Sequence, residues 1–178
     1  MGRGLRVVAG TAGGLRLQAP PGHRLRPTSE RVREAIFASL GSLGAVEGAR
    51  VLDLFAGTGA LGIEALSRGA AFATFVDSDR EAVEIIRANL EATGLVADAR
   101  VVRSDALRFL DETSEVFDLA LVDPPYAFDA WPALLDALRA DLAVLESGDP
   151  VEGADGWAIL RSRRYGDSVV TLARRHAP

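Results

Sequence analysis

The chain has 178 residues, 48% of them apolar, with no cysteine and two histidines; this suits one domain with a sizeable core and excludes a disordered chain, disulfides and thiolate chemistry. No apolar stretch reaches membrane-spanning length and the Arg-bearing start lacks a signal peptide's apolar run, so a cytoplasmic protein with no membrane contact is expected. The net charge of −5 divides unevenly: residues 1–34 hold seven Arg against two Glu, a local +5, which leaves −10 on the remainder, and a basic arm on an acidic body favours a local RNA contact over a generally adhesive surface.

Taken in order, residues 5–9 and 15–19 are short strand-like runs around Gly10-Thr11-Ala12-Gly13-Gly14, which predicts a β-hairpin. Pro20-Pro21-Gly22 ends it, and residues 23–27 form an extended loop because Pro27 disfavours the helical region at Arg26. Thr28 or Ser29 can cap a helix running to about Leu40, with Glu30 in its first turn and Val32, Ile36, Phe37 and Leu40 on its buried face. Arg31 and Arg33 fall mostly off that face, and with Arg24 and Arg26 they are the candidate RNA contacts. All 20 basic residues are Arg. Arg suits phosphate and guanine recognition, but replacement that complete reads as genome composition. Residues 41–48 link to the main sheet, dividing the chain into a basic hairpin-and-helix extension (1–48) and a larger compact unit (49–178).

Residues 51–55 are an apolar run that reads as a buried parallel strand, broken at Ala56-Gly57-Thr58-Gly59 and followed by a helical pattern through Leu66. A second run, 72–76, ends on Asp77. Strand, glycine loop, helix, strand and acid make a nucleotide-cofactor half-site. The glycines let the loop backbone approach a ligand, the helix turns its free N–H groups toward it, and Asp77 can accept both ribose hydroxyls. Gly57, Gly59 and Gly62 spell G-x-G-x-x-G, the dinucleotide pattern. Yet Asp53 lies inside the strand, four residues before Gly57, and an acid there resembles motif I of the S-adenosylmethionine-dependent methyltransferases, where it orients the loop and holds the cofactor's amino-acid end, directly or through water. The loop alone leaves methyl transfer, nicotinamide binding and a purely structural turn open.

An amphipathic helix is predicted over 80–90, a third strand over 100–103 ending in Ser104-Asp105, and a fourth over 119–122 ending in Asp123-Pro124-Pro125-Tyr126. Residues 131–138 read as helix. Residues 141–146 read as a fifth strand, although the run could extend that helix. Residues 157–161 and 169–174 can pair as a closing hairpin about Tyr165-Gly166-Asp167. Strands alternating with helices give an α/β fold around a mostly parallel sheet.

Two prolines after a buried strand place the Asp123 carboxylate and the Pro124 carbonyl rigidly at the sheet's carboxyl edge. Two fixed acceptors suit an exocyclic amine: accepting both N–H bonds favours a pyramidal nitrogen and stabilises the positive charge it gains on methylation. Tyr126 offers a face for an extruded base. The plainer alternative is a strand-ending turn with a capping Asp. Asp105 has the same duality, a neighbour of the adenine amino group or an ordinary helix cap before Ala106.

Four blocks together, L-R-P-T-S-E-R-V-R-E-A-I-F (25–37), D-L-F-A-G-T-G-A-L-G-I-E-A-L-S-R-G-A (53–70), V-D-P-P-Y (122–126) and R-R-Y-G-D-S (163–168), resemble the bacterial 16S rRNA guanine-N2 methyltransferase family, whose members modify guanine 966. The similarity spans nearly the whole chain. It implies a Rossmann-like class I methyltransferase with a C-terminal antiparallel hairpin and a small N-terminal extension. It implies S-adenosylmethionine held by Asp53, Phe55, Ala56, Gly57, Thr58, Gly59, Asp77, Ser78, Asp105 and Ala106, leaving as S-adenosylhomocysteine, with no metal. Amine chemistry falls to Asp123, Pro124, Pro125 and Tyr126. The partner implied is 16S rRNA in assembled or assembling small subunits, met by a monomer. Asp77 stands where the family often has Glu, and the compressed segment 141–157 leaves the fifth strand and any role of Glu146 open. Other readings carried are an amino-methyltransferase of DNA adenine or protein glutamine, a nicotinamide-dependent oxidoreductase and a non-catalytic RNA-binding protein. The absence of Lys excludes the common Tyr-Lys oxidoreductase pair, and the absence of Cys excludes pyrimidine carbon-5 methylation through a cysteine adduct.

Overall fold

A computed structural model describes residues 4–21, 27–152 and 155–176. Its centre is a seven-stranded sheet in the order β3-β2-β1-β4-β5-β7-β6. The strands are β1 (Arg50–Leu54), β2 (Phe72–Asp77), β3 (Ala99–Arg103), β4 (Phe117–Val122), β5 (Ala140–Ser147), β6 (Trp157–Tyr165) and β7 (Ser168–Arg175). The first five are parallel; β7 runs antiparallel to β5, and β6 antiparallel to β7. The helices are α1 (Pro27–Ser42), α2 (Ala60–Ser67), α3 (Arg80–Thr93), α4 (Ala106–Glu112) and α5 (Trp131–Ala137). Strand order reverses between β1 and β4, which opens a crevice at their carboxyl ends, the ligand-binding position of open α/β sheets.

The side-chain alternation of the strands sorts the core into two layers. Val51, Ala73, Phe75, Leu119, Leu121 and Val144 face the layer shared with α1, α2 and α3. Leu52, Leu54, Val76, Ala120, Val122 and Leu145 face α4 and α5. With helices on both faces the central strands are apolar throughout, which is why they read as continuous runs. Leu5, Val7 and Leu17 join the first layer, so the N-terminal segment packs on the same core as β1.

The predicted N-terminal hairpin forms with a single bridge, Arg6 to Arg16, flanked by Val7 N–H to Leu15 O (3.0 Å) and Leu17 N–H to Leu5 O (2.8 Å). Its tip sits on the end of α2, where Thr11 N–H donates to Ser67 O at 2.8 Å. Several elements outrun their predicted ends: α1 continues two residues past Leu40, β4 starts at Phe117, and β6 runs to Tyr165. For β6 the cause is its place at the sheet's edge. Its residues 159–164 are exposed, so the apolar signal fades while pairing with β7 continues to Tyr165–Ser168. Residues 140–147 are a strand and no extension of α5; parallel pairing with β4 and antiparallel pairing with β7 bury their run on both sides. Among the described residues, no helix is long and apolar enough to cross a membrane.

Candidate active site

The crevice is built first from the loop between β1 and α2. Phe55 adopts φ 59° without being glycine, a strained conformation of the sort that gathers at functional sites. Its ring is held edge-on to Phe128 at 5.3 Å, and Phe128 in turn to Trp131 at 5.2 Å. The backbone then turns: Gly57 N–H donates to Asp77 Oδ2 (2.8 Å), while Asp79 N–H donates to Asp77 Oδ1 (2.9 Å). A carboxylate offers about four lone-pair positions, so Asp77 can brace the loop and still accept from a ligand. Thr58 O accepts from Asn89 Nδ2 at 2.8 Å, and the same amide receives Gln18 N–H on Oδ1, tying the N-terminal segment to the loop.

The three loop glycines have different reasons. A Cβ on Gly57 would meet nothing within 4 Å, so the open side of this residue is available to a ligand. A Cβ on Gly59 would lie 3.3 Å from Ile86 Cγ1, and one on Gly62 would lie 2.4 Å from Phe75 Cε1. Gly59 and Gly62 therefore serve helix packing. Asp53 lies beneath them, 1% exposed, with Oδ2 accepting Gly62 N–H at 2.8 Å. Burial pushes its carboxyl well up, against the Gly62 hydrogen bond, with Asp123 and Asp77 adding repulsion. That contact holds the first turn of α2, into which the loop leads. Ala56 is buried under the loop, Ser78 is exposed, and Asp105 is exposed with Oδ1 accepting Arg108 N–H at 3.1 Å; Ala106 is buried behind it. Asp105 is thus a helix cap here, the plainer of its two readings.

Next door, β4 delivers Asp123, Pro124, Pro125 and Tyr126. Phe128 N–H donates to Pro125 O at 2.9 Å, closing the turn, and Pro124 is buried. Asp123 opens to the cleft while protein surrounds it. Desolvation first, and the Glu146 carboxylate second, push its carboxyl up to about 7; water in the open cleft screens part of this push. Glu146 is also raised by burial, opposed by a hydrogen bond from the Ser168 hydroxyl. Tyr126 is 63% exposed, and its hydroxyl lies 3.5 Å from Ser168 Oγ. Acids at or near the carboxyl ends of five adjacent strands, β3 through β5 in the sheet order, make the crevice attractive to a cation and unsuited to a pyrophosphate.

The basic arm divides. Arg24 and Arg26 lie outside the described residues. Arg31 is exposed on α1. Arg33, expected at an RNA surface, is instead 5% exposed: Nη2 donates to Arg6 O at 2.7 Å and Nε lies 3.7 Å from Glu64 Oε2. Glu64 is wholly buried and also accepts Val8 N–H and Ala9 N–H (2.8 and 3.0 Å) and Arg68 Nε (2.7 Å). The N-terminal segment covers the side of α1 that helical periodicity alone leaves to solvent, which removes Arg33 from any RNA contact. Sequence reasoning passed over Glu64 and Asn89, left the role of Glu146 open and did not pair it with Ser168. Only that pair had a usable signal, a carboxylate at the carboxyl end of a sheet strand and a serine inside a family block.

Comparison with known proteins agrees with this architecture. The model of the family described as Conserved hypothetical protein 95 matches residues 5–174. YlbH of Bacillus subtilis, described as a candidate rRNA methyltransferase, is 42% identical over 170 residues, 94% of this chain and 91% of that protein. Ribosomal RNA small subunit methyltransferase D of Escherichia coli is 36% identical over 184 residues, 97% of this chain and 91% of that protein. The solved structure of yhhF from Escherichia coli, a candidate methyltransferase, superposes with a TM-score of 0.86 at 35% identity, covering 98% of this chain and 99% of that one.

Proposed function

The chain belongs to the family described as Conserved hypothetical protein 95, and on that premise we propose that it methylates small-subunit ribosomal RNA from S-adenosylmethionine, at the exocyclic N2 of a guanine, guanine 966 in the family's count. The observation that carries the reading is the adjacency of Asp123-Pro124 at the end of β4 to the Gly57 loop at the end of β1, strands paired in register from Val51–Leu119 to Leu54–Val122.

The crevice fits the cofactor on three counts. Gly57 has an open side, Asp77 keeps lone pairs for a ribose, and the surrounding carboxylates suit a ligand bearing an ammonium and a sulfonium. Bound there, S-adenosylmethionine supplies an electrophilic methyl group. Asp123 and the Pro124 carbonyl accept the two N2–H bonds of an extruded guanine and steady the positive charge on nitrogen as the N–C bond forms. With its proton affinity raised, Asp123 is suited to receive the proton the methylated amine sheds. The exposed ring of Tyr126 stacks on the base. Residues 1–48 act as an RNA-facing extension on the unit formed by 49–178, with Arg24, Arg26 and Arg31 as its phosphate contacts. The family resemblance supports a cytoplasmic monomer acting on assembled or assembling small subunits.

The test is methyl transfer from labelled S-adenosylmethionine to small subunits isolated from a strain lacking the chain, with the modified base mapped. One labelled guanine N2 is expected. Label on another base, or tight NAD binding without S-adenosylmethionine binding, overturns the reading.

A further inference from the structure

Two acceptors at Asp123 and Pro124 recognise an amine and nothing more. The N6 of adenine would satisfy them as well as the N2 of guanine, so the purine has to be read elsewhere. Glu146 is placed to do so. It lies near the carboxyl end of β5, and the register Val122–Leu145 makes it the neighbour of Asp123, the first residue beyond β4. Its carboxylate is held by the Ser168 hydroxyl at the start of β7. That hydroxyl is within 3.5 Å of Tyr126 Oη, and a Cβ on Gly148 would lie 3.5 Å from Tyr126 Cδ1. The ends of β4, β5 and β7 therefore form one wall on which Tyr126, Ser168, Glu146 and Asp123 are linked.

Among the described residues Glu146 pairs with no Arg, and the Ser168 hydroxyl is a single donor to a carboxylate with about four lone-pair positions. A half-buried carboxylate with that acceptor capacity, beside Asp123 on the same wall, can take a donor from a ligand in the cleft. Guanine presents one: N1–H stands beside the N2 amine on the same edge, whereas the corresponding N1 of adenine is a bare acceptor. We propose that Glu146 is the specificity-determining residue of this site, accepting the guanine N1–H while Asp123 and Pro124 hold N2. The assignment rests on the guanine-N2 reading above. A donor-donor edge meets two adjacent carboxylates; an adenine would set the N1 lone pair against Glu146 and be rejected.

The probe is a small subunit reconstituted with either guanine or 2-aminopurine at the methylated position. 2-Aminopurine keeps the amine at carbon 2 but leaves N1 without hydrogen. The wild-type protein is expected to prefer guanine by at least about 100-fold in kcat/KM, as a site built around a substrate N–H rejects the analogue lacking it. Glu146→Gln should lose roughly 10- to 100-fold on guanine, the scale of a hydrogen bond to a charged group, and gain on 2-aminopurine because its amide can donate to N1. Glu146→Ala should lose on guanine without that gain. Melting temperature and S-adenosylmethionine affinity should stay near wild type in both. An unchanged guanine to 2-aminopurine ratio in Glu146→Gln overturns the assignment. Should that variant not fold, Ser168→Ala, which releases Glu146 and also the contact to Tyr126 Oη, should narrow the ratio about tenfold where Tyr126→Phe leaves it unchanged, and an unchanged ratio in Ser168→Ala overturns it equally. Wild-type protein inactive on guanine-bearing subunits instead overturns the parent reading.

Discussion

In the proposed reaction Asp123 accepts hydrogen bonds from an amine, yet it holds its own proton more tightly than an ordinary carboxylate. Protein packed around it and the neighbouring Glu146 push it up, to about 7 before water in the open cleft screens part of the push, so its protonated form persists to higher pH than that of an ordinary carboxylate. The acceptor and proton-receiving form is the ionised one, so single-turnover methyl transfer should rise with pH toward about 7 and level off above it. Removing the negative charge in Glu146→Gln should move that rise toward lower pH; desolvation, the larger cause, remains, so the move is partial. Asp123→Ala should slow transfer by roughly 100-fold or more, the scale of one preorganised electrostatic contact. Asp123→Asn, which keeps one acceptor oxygen without the charge, should fall between. Near-wild-type transfer in the Ala variant, with cofactor affinity intact, would reduce Asp123 to a turn residue. Its position was legible in the sequence because two prolines after an apolar run mark a strand end. Which glycine has an open side was not: Gly57 and Gly59 look alike in a motif, and only the positions of Ile86 and Ile63 beside Gly59 separate them.

At the scale of elements, α1 illustrates what periodicity can and cannot carry. Val32, Ile36, Phe37 and Leu40 are buried as their spacing predicts. Arg33 is buried as well, because a segment 27 residues upstream covers it and supplies the Arg6 carbonyl. That contact is tertiary and leaves no trace in the helix's own pattern. The same holds for β5, whose short run could belong to a helix until β4 and β7 pair on either side. Glu64 is wholly buried, with Arg33 at 3.7 Å on one side and Arg68 on the other; removing Arg33 leaves it the Val8 and Ala9 N–H groups and Arg68, but frees the Arg6 carbonyl in a part-buried place. Arg33→Ala should therefore lower stability by about 1–3 kcal/mol, the usual cost of leaving a buried acceptor without its donor. Its RNA affinity and salt slope, measured below the melting transition, should match wild type. Arg31→Ala should do the reverse, melting normally and binding RNA with a shallower salt slope. A weakened salt slope in a normally stable Arg33→Ala protein would return that residue to the RNA surface.

Across the whole molecule, an acidic body has to approach a polyanion, so the placement of its arginines matters more than the net charge of −5. The N-terminal arm is one positive region; the structure adds a second at the far edge of the sheet. On β6, Arg161, Arg163 and Arg164 are exposed. Arg161 and Arg163 line a shallow groove with Ala35 and Ser39 of α1, and Arg31 precedes Ala35 by one helical turn on the same stripe. Arg164 lies beyond, donating to Gly148 O at 3.3 Å, beside the backbone against which Tyr126 rests. Basic residues thus flank the sheet's edge on both faces, Arg161 and Arg163 toward α1 and Arg164 toward Gly148. Sequence reading had placed only the arm, because the charges of β6 fall in what looked like the fading end of a strand. Arginines on an edge strand also discourage pairing with another chain, and the two roles separate by experiment. Replacing Arg161, Arg163 and Arg164 together with Ala should weaken binding to small-subunit RNA and reduce the slope of log K against log salt by about 2, near 0.7 for each lost single-strand phosphate contact. Cofactor affinity should be unchanged, since none of the three reaches the Gly57 loop. If the triple variant keeps the wild-type slope and instead self-associates in sedimentation, the β6 arginines guard a sheet edge, and the RNA path has to be sought along the N-terminal arm alone.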